Sequence, residues 1–195
     1  MNIIIGSSGF LTKSILTNLP DQFDKTSLFS IRKQSLDLLI NKIKNNYKRE
    51  RITILFASWP TSYSYDDIEH LNFAQEIAIP LLENIVNANM EIRLITFGTC
   101  LEYGLQLGAL GEDHLAIPCV KLGSAKMLVY NYCKSNIAKG NYVNLRIFYP
   151  YSHKDPRTSS LLWHMDRAIN SNNAFFPMSH GKQQRDFFEV SLLSQ

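Results

Sequence analysis

The sequence predicts an α/β fold with a doubly wound parallel sheet. Short runs rich in β-branched residues predict buried strands over 2–5, 26–31, 52–57, 92–97 and 142–148. Amphipathic patterns predict helices near 9–19, 35–47, 67–88, 123–139 and 158–171. Strands that alternate with helices of this length form right-handed βαβ units, which place parallel strands in one sheet with helices on both faces. The segment 32–51 has room for one helix only, so we expect one edge strand to be missing.

Length and composition exclude several classes of protein. The 195 residues, 45% of them hydrophobic, fit one sizeable core. The net charge is +3, and the one basic run, residues 41–51, is typical of a solvated helix face, so we expect no nucleic-acid partner. Three cysteines without a Cys-x-x-Cys spacing favour a reducing, cytoplasmic location. No apolar run is long enough to span a membrane, and the five histidines lack a metal-binding spacing, so we expect neither membrane nor metal.

The turn after the first strand is typical of a dinucleotide site. In "NIIIGSSGFLTKSIL", Gly6 follows the strand directly and Gly9 starts the first helix. A backbone without side chains can approach a pyrophosphate there, and the helix N-terminus offers unpaired N–H groups. A tight turn with no ligand is the alternative. Thr12 stands where a third small residue usually packs the helix on the sheet, which predicts looser packing.

The end of the second strand favours NADP over NAD. An acidic residue there would bind a ribose 2′-hydroxyl, whereas an arginine would pair with a 2′-phosphate. The sequence "SIRKQ" offers Arg32 and Lys33 and no carboxylate. Two basic side chains that simply face water are the alternative.

Five motifs follow one another along nearly the whole chain. They are "GSSGFLT", the small-residue loop "ASWP", "TCLEYG" at 99–104, the lysine of "KLGSAK" and the "RDF" of 185–187. In this order the chain resembles the extended short-chain dehydrogenase/reductase family, in particular its nucleotide-sugar epimerases and 4-keto-reductases. The resemblance implies a Rossmann-like NAD(P)-binding domain over 1–157. It also implies a partial, incomplete C-terminal substrate-binding lobe over 158–195, because family members usually continue past this point.

In this family a hydroxyl, a tyrosine and a lysine support hydride transfer between a nicotinamide and a sugar carbon. The tyrosine exchanges a proton with the sugar oxygen, and the lysine lowers the tyrosine's pKa and holds the nicotinamide ribose. The resemblance makes Thr99 the hydroxyl and Lys126 the lysine, while Leu122 stands at the tyrosine position. Leucine carries no proton, and loss of a general acid typically costs about 100- to 10,000-fold in rate.

Three other polar residues lie near this triad in the sequence. Tyr103, Lys121 and Cys100 all lack the four-residue helical spacing that would place them beside Lys126. The sequence therefore predicts very slow turnover.

The resemblance also implies the remaining binding residues. Cofactor-binding positions are Gly6, Ser8, Gly9, Phe10, Leu11, Arg32, Lys33, Ala57, Ser58, Trp59, Lys126, Phe148 and Tyr149. Substrate-binding positions are Thr99, Cys100, Tyr149 and Arg185. Asn72 matches an asparagine that often supports the active site.

The subtype follows from residues next to Thr99. Family 4,6-dehydratases carry Asp-Glu directly after the threonine, and Cys100 and Leu101 disfavour dehydration here. "GTCLEYG" and "GALGEDHLAIP" look more like reductases and epimerases of CDP- or dTDP-deoxysugars, of the abequose and paratose synthase kind. Such enzymes serve surface polysaccharide (O-antigen) biosynthesis.

Three functional hypotheses remain. The first is an NADP-linked nucleotide-sugar reductase or epimerase whose proton donor is lost or relocated. The second is a non-catalytic dinucleotide-binding paralogue that acts as a binding or regulatory partner, and the third is a truncated remnant. Relatives often dimerise through two helices that include the one bearing Lys126, so a homodimer is an option.

Overall fold

The fold is built on a parallel sheet of five strands. They are β1 (Asn2–Ile5), β2 (Leu28–Phe29), β3 (Ile52–Phe56), β4 (Ile92–Thr99) and β5 (Tyr142–Ile147). Their order is β2-β1-β3-β4-β5, and every neighbouring pair is parallel. The predicted α/β class and its five strand segments are therefore confirmed.

A computed structural model provides the coordinates. It describes residues 2–23, 28–31, 37–38, 40–41, 45, 51–88, 91–106, 108–152, 160–171, 175–182 and 184–194. The edge strand that we expected to be missing concerns residues 32–51, most of which lie outside these ranges. The predicted domain boundary at 157/158 lies outside them as well.

Five α-helices have both ends within the described parts of the chain. They are α1 (Phe10–Asn18), α2 (Glu69–Asn72), α3 (Ile79–Val86), α4 (Lys121–Asn136) and α5 (Leu161–Asn170). A π-helical segment, Phe73–Ala78, joins α2 to α3, so the helix predicted over 67–88 is present but locally widened. Of the helix predicted over 35–47, only residues 37, 38, 40, 41 and 45 are described, and they are helical.

The two faces of the sheet bury alternate residues of the same strands. Ile3 and Ile54 lie on one face and pack with α3 and α4, whereas Ile4 and Leu55 lie on the other face and pack with Ile15 of α1. This alternation is the period of two expected of a strand. Burying one such aliphatic side chain contributes about 1.5–3 kcal/mol, so the isoleucine-rich strands stabilise both layers at once.

A second, two-stranded sheet lies beyond the carboxyl edge of the first. Its parallel strands are β6 (Tyr149–Tyr151) and β7 (Phe187–Glu189), with Tyr149 opposite Phe187. A 3-10 turn at Val190–Ser194 follows and packs on α1. Among the helices that the structure describes, none is long and apolar enough to cross a membrane.

Helix α4 approaches the end of β4 closely because it carries Gly123. A Cβ at this position would lie 2.5 Å from the carbonyl oxygen of Leu101 and 2.9 Å from Cβ of Pro118. Both distances are shorter than real contacts allow, so any side chain would push the helix away. Gly123 therefore sets the distance between α4 and the 3-10 turn Cys100–Tyr103.

We expect Gly123→Ala to destabilise the protein by about 1–3 kcal/mol, the usual cost of overpacking. Urea unfolding monitored by circular dichroism measures the change. Gly111→Ala is the matched control, because a Cβ there meets only the His114 ring at ordinary contact distance, 3.4 Å. Equal stability of the two variants would contradict the close approach of α4.

Candidate functional site

The candidate site lies where the carboxyl ends of four strands meet. Gly6 follows β1, Ala57 follows β3, Thr99 ends β4 and Phe148 follows β5. In open parallel sheets this edge is the usual position of ligand sites, because loops from several strands converge there. Gly6, Ala57, Thr99 and Phe148, which the sequence predicts as site residues, thus lie at one edge of the sheet.

The glycine-rich turn is tightly constrained. Gly6 adopts a φ of +101°, and a Cβ on it would lie 2.6 Å from the backbone nitrogen of Ser58. The Thr12 hydroxyl is buried and donates to the carbonyl oxygens of Gly6, at 2.8 Å, and Gly9, at 3.0 Å. The prediction of looser packing at Thr12 is therefore wrong, because the hydroxyl binds the turn instead of displacing it.

The start of α1 fits a phosphate group. Gly9 is the exposed N-cap residue of α1, and no side chain caps the first turn. Ser8 is exposed beside it, and Phe10 and Leu11 form the first, partly buried helical residues. Together with the conformation of Gly6, this cradle is compatible with a pyrophosphate.

The loop after β3 is held by a buried histidine. Trp59 donates its indole N–H to Nδ1 of His70 at 3.2 Å, so Nε2 carries the imidazole hydrogen and donates to the carbonyl of Ser64 at 2.9 Å. His70 is almost completely buried, and Phe73 packs edge-on against Trp59 with ring centroids 5.0 Å apart. No sequence motif marks His70, and its role became visible only in the structure.

Lys126 extends from α4 between the sheet and Trp59. Its Nζ donates to the carbonyl oxygen of Phe97 at 2.7 Å and lies 3.8 Å from the Trp59 ring centroid. Burial lowers the pKa of Lys126 to about 7, and the negative charge of Glu102 opposes this shift only in part. The ammonium group is therefore poorly solvated and would gain from additional acceptors.

Leu122 lies one helical turn before Lys126, as the spacing predicts. Its backbone N–H donates to the carbonyl of Tyr65 at 2.9 Å. Beside it, Nζ of Lys121 contacts both the backbone oxygen of Asp66, at 2.7 Å, and its carboxylate, at 3.1 Å. The side-chain hydrogen bond from Lys121 to the Asp66 carboxylate lowers the pKa of Asp66. The loop after β3 thus closes over the start of α4, and Lys121 is engaged there.

Thr99 is oriented by a capping box that includes a fully buried carboxylate. Glu102 Oε1 accepts the backbone N–H of Thr99 at 2.8 Å, while the Thr99 hydroxyl oxygen accepts the N–H of Leu101 at 3.3 Å. Since that oxygen already accepts, the Thr99 O–H remains able to donate. The spacing Thr-x-x-Glu in "TCLE" is the signal that could have identified Glu102 from the sequence.

Glu102 also forms a buried ion pair across the sheet. Its Oε2 accepts Nε of Arg146, on β5, at 2.7 Å, and the two side chains are 0% and 15% exposed. Arg146 Nη1 donates to the Tyr103 hydroxyl at 2.8 Å, and that hydroxyl donates to the carbonyl of Gly111 at 3.1 Å. Tyr103 is therefore buried within a structural network with its own hydrogen already used.

Tyr149, Cys100 and Arg185 form a polar cluster beside Thr99. Arg185 donates a hydrogen bond to the Tyr149 hydroxyl, and its guanidinium carbon lies 4.7 Å from the ring centroid. The Cys100 thiol interacts with the side chains of Thr99 and Tyr149. Burial raises the pKa of Cys100 and of Tyr149, so both groups hold their protons at neutral pH.

The remaining predicted residues do not all join this site. Arg32 and Lys33 lie outside the described residues. Phe148 packs against Tyr103, with ring centroids 6.2 Å apart. The Asn72 amide donates to Glu69 at 3.2 Å. Within the part of the chain that the structure describes, no three His, Cys, Asp or Glu residues are grouped as a metal site would need.

Comparison with known families decides the classification. The family model described as "NAD dependent epimerase/dehydratase family" matches residues 3–191. The chain belongs to the NAD dependent epimerase/dehydratase family. The resemblance to extended short-chain dehydrogenases/reductases is confirmed at this level. A search of curated proteins finds no significant match.

Solved structures of nucleotide-sugar enzymes share the fold. MoeE5 in complex with UDP-glucose and NAD is 21% identical with a TM-score of 0.75, over 99% of this chain and 69% of that one. UDP-N-acetylglucosamine 4-epimerase from Methanobrevibacter ruminantium M1, in complex with UDP-N-acetylmuramic acid, is 20% identical with a TM-score of 0.74. This match covers 99% of this chain and 70% of the epimerase.

A third similar structure is UDP-glucuronic acid 4-epimerase from Bacillus cereus, in complex with UDP-glucuronic acid and NAD. It is 19% identical with a TM-score of 0.71, over 97% of this chain and 69% of that one. At such identities the likeness shows a common fold.

The buried position of Lys126 predicts a pH dependence of stability. The folded-state pKa of about 7 lies below the ordinary value of 10.5, so between these values the unfolded chain binds more protons than the folded one. The free energy of unfolding should therefore rise as the pH increases from about 7 toward about 10, because the cost of burying the charge disappears.

Urea titrations at several pH values measure this effect. Lys126→Met should remove the rise and stabilise the protein at neutral pH, whereas Lys13→Met, at an exposed lysine on α1, should retain the wild-type slope. If the free energy of unfolding changed with pH identically in all three proteins, Lys126 would not be desolvated.

Proposed function

We propose that the chain is an NAD(P)-dependent enzyme of the nucleotide-sugar reductase or epimerase type. The observation that carries this proposal is the position of Lys126. Its Nζ is bound to the carbonyl of Phe97, two residues before Thr99 and at the same sheet edge as the Gly6 turn. A dinucleotide whose pyrophosphate binds at the Gly6 turn would extend along this edge toward Lys126 and Thr99.

The proposed dinucleotide site uses three parts of the chain. The turn from Gly6 to Leu11 would bind the pyrophosphate, the loop from Ala57 to Trp59 would flank the cofactor, and Lys126 would bind the nicotinamide ribose. Phe148 and Tyr149 would line the nicotinamide. When bound, the cofactor supplies or accepts a hydride at the sugar carbon. The family name and the NAD found in two of the similar structures support a nicotinamide cofactor.

We propose NADP as the preferred cofactor and a nucleotide sugar as the substrate. Arg32 and Lys33, without a nearby carboxylate, favour a 2′-phosphate. Thr99, Cys100 and Tyr149 would contact the sugar, and Arg185 would contact the diphosphate. UDP-sugar ligands in three of the similar structures support the substrate class.

The finer subtype extends this proposal. The segments around Thr99 favour a CDP- or dTDP-deoxysugar, and thus a role in surface polysaccharide biosynthesis. In this proposal, residues 1–157 bind the dinucleotide and residues 158–195 contribute to the sugar site. Strands β6 and β7, one from each part, join them. A cytoplasmic location and a homodimer formed through α4 stay predictions.

Leu122 favours a second candidate function. A dinucleotide-binding protein without turnover, acting as a binding or regulatory partner, would retain the cradle and Lys126 but would not need a proton donor at position 122. The two candidates agree on cofactor binding and differ in catalysis, so one binding experiment and one activity experiment distinguish them.

We expect the chain to bind NADPH about tenfold more tightly than NADH, because a charge-assisted hydrogen bond contributes about 1.5 kcal/mol or more. Isothermal titration calorimetry measures both affinities. Arg32→Ala combined with Lys33→Ala should equalise the two cofactors, whereas Gly6→Val should abolish the binding of both. Failure of the wild-type chain to bind either dinucleotide would overturn the proposed cofactor.

Leu122→Tyr tests whether the rest of the catalytic site is intact. We expect slow NADPH-dependent reduction of a CDP- or dTDP-4-keto-6-deoxysugar by the wild-type chain, and a gain of about tenfold or more in the variant, since general acid catalysis contributes about 100-fold or more in full. Absorbance at the reduced nicotinamide band measures the rate. Leu122→Phe is the control, because it adds a ring without a hydroxyl and should give no gain.

A further inference from the structure

A second tyrosine, Tyr149, follows the strand that pairs with the end of β4 at Thr99. Arg185 donates a hydrogen bond to the Tyr149 hydroxyl. Burial raises the pKa of the Cys100 thiol, and the neighbouring side chains of Thr99 and Tyr149 lower that pKa in part. Arg185 also lies over the Tyr149 ring. The sequence suggested each of these residues separately as a substrate or cofactor contact, but it gave no sign that they form one cluster.

The strand register explains why Tyr149 lies near Thr99. Thr99, the last residue of β4, is opposite Ile147 of β5. Tyr149 lies two residues farther, about 6–7 Å along the chain at the usual rise of a strand, and a phenol ring is long enough to extend back over that distance. The register therefore places Thr99 and Tyr149 at neighbouring positions along the carboxyl edge of the sheet.

The other phenols near this edge are less suited to proton transfer. Tyr103 is buried and both donates and accepts hydrogen bonds within the Arg146 network. Tyr65 is 63% exposed, and its backbone carbonyl accepts the N–H of Leu122. Tyr149, in contrast, is partly buried, and the Arg185 guanidinium donates a hydrogen bond to its phenol oxygen.

We propose that Tyr149 replaces the missing tyrosine as the proton donor, with Arg185 as the cation that stabilises its phenolate. This inference rests on the proposed function, because it assigns a role in that same reaction. Arg185 donates to the phenol oxygen, so the phenol's own hydrogen is directed elsewhere. With a substrate bound, that hydrogen would be donated to the sugar oxygen beside Thr99.

The proton balance of the step is complete. A reduced dinucleotide, when bound, would supply a hydride with its two electrons to the carbonyl carbon of a 4-keto sugar. The Tyr149 O–H bond breaks, and its proton forms the new O–H bond on the former carbonyl oxygen. The Thr99 O–H holds that oxygen, Arg185 balances the phenolate charge, and water returns the proton to Tyr149 after product release. Lys126 keeps only the role of binding the ribose.

The test compares four proteins with NADPH and a CDP- or dTDP-4-keto-6-deoxysugar: wild type, Tyr149→Phe, Leu122→Tyr and the double variant. Tyr149→Phe should lower the wild-type rate about 100-fold or more while the NADPH affinity stays within about twofold. In the Leu122→Tyr background the same substitution should lower the rate by about threefold or less, because the restored tyrosine supplies the proton. Tyr65→Phe is the matched control and should keep the wild-type rate.

This design separates a proton donor from a residue that only supports the fold. If Tyr149 only made a structural contact, Tyr149→Phe would lower the rate by the same factor in the wild-type and the Leu122→Tyr backgrounds. Equal losses of rate would therefore overturn the inference. A wild-type chain without turnover, together with an active Leu122→Tyr variant, would overturn the role of Tyr149 and leave the proposed function intact. Absence of both dinucleotide binding and turnover in all four proteins would instead overturn the proposed function itself.

Discussion

The carboxylate of Glu102 is shared between the backbone N–H of Thr99 and the guanidinium of Arg146, and the geometry of the candidate site depends on this arrangement. The ion pair joins the end of β4 to β5, three residues before Tyr149. Removing one partner of a buried pair typically costs about 3–5 kcal/mol, because the other charge is left uncompensated. The negative charge of Glu102 also offsets part of the desolvation of Lys126.

The site combines a retained half and an altered half. In the proposed function, the retained half consists of the Gly6 turn, Thr99 and Lys126, which would bind the dinucleotide and orient the sugar. The altered half is the helical turn before Lys126, where Leu122 contributes only a backbone N–H to the loop after β3. A protein that lost all catalysis would have no need for a phenol paired with Arg185 beside the retained threonine, and this pairing is what favours a relocated proton donor over a remnant.

Sequence patterns predicted the sheet well because its signals are local. Isoleucine-rich runs mark β1 and β3, and the first glycine turn marks the ligand edge. Helix α4 begins at Lys121, two residues earlier than predicted, because the carboxylate of Asp66 accepts the Lys121 N–H from 55 residues away. The pairing of Tyr149 with Arg185 likewise depends on the register of β6 and β7. Contacts of this kind join distant segments, and neither periodicity nor motif spacing carries information on them.

In the proposed complex, Thr99 and Tyr149 both reach one substrate oxygen at the end of a dinucleotide bound along the sheet edge. A crystal structure of the wild-type chain with NADP and a CDP- or dTDP-deoxysugar tests this most directly. We expect Lys126 to leave the Phe97 carbonyl for the nicotinamide ribose, and both hydroxyls to lie within hydrogen-bond distance of the same sugar oxygen. A bound sugar whose oxygen faces Leu122, with Tyr149 turned away from it, would contradict the role proposed for Tyr149.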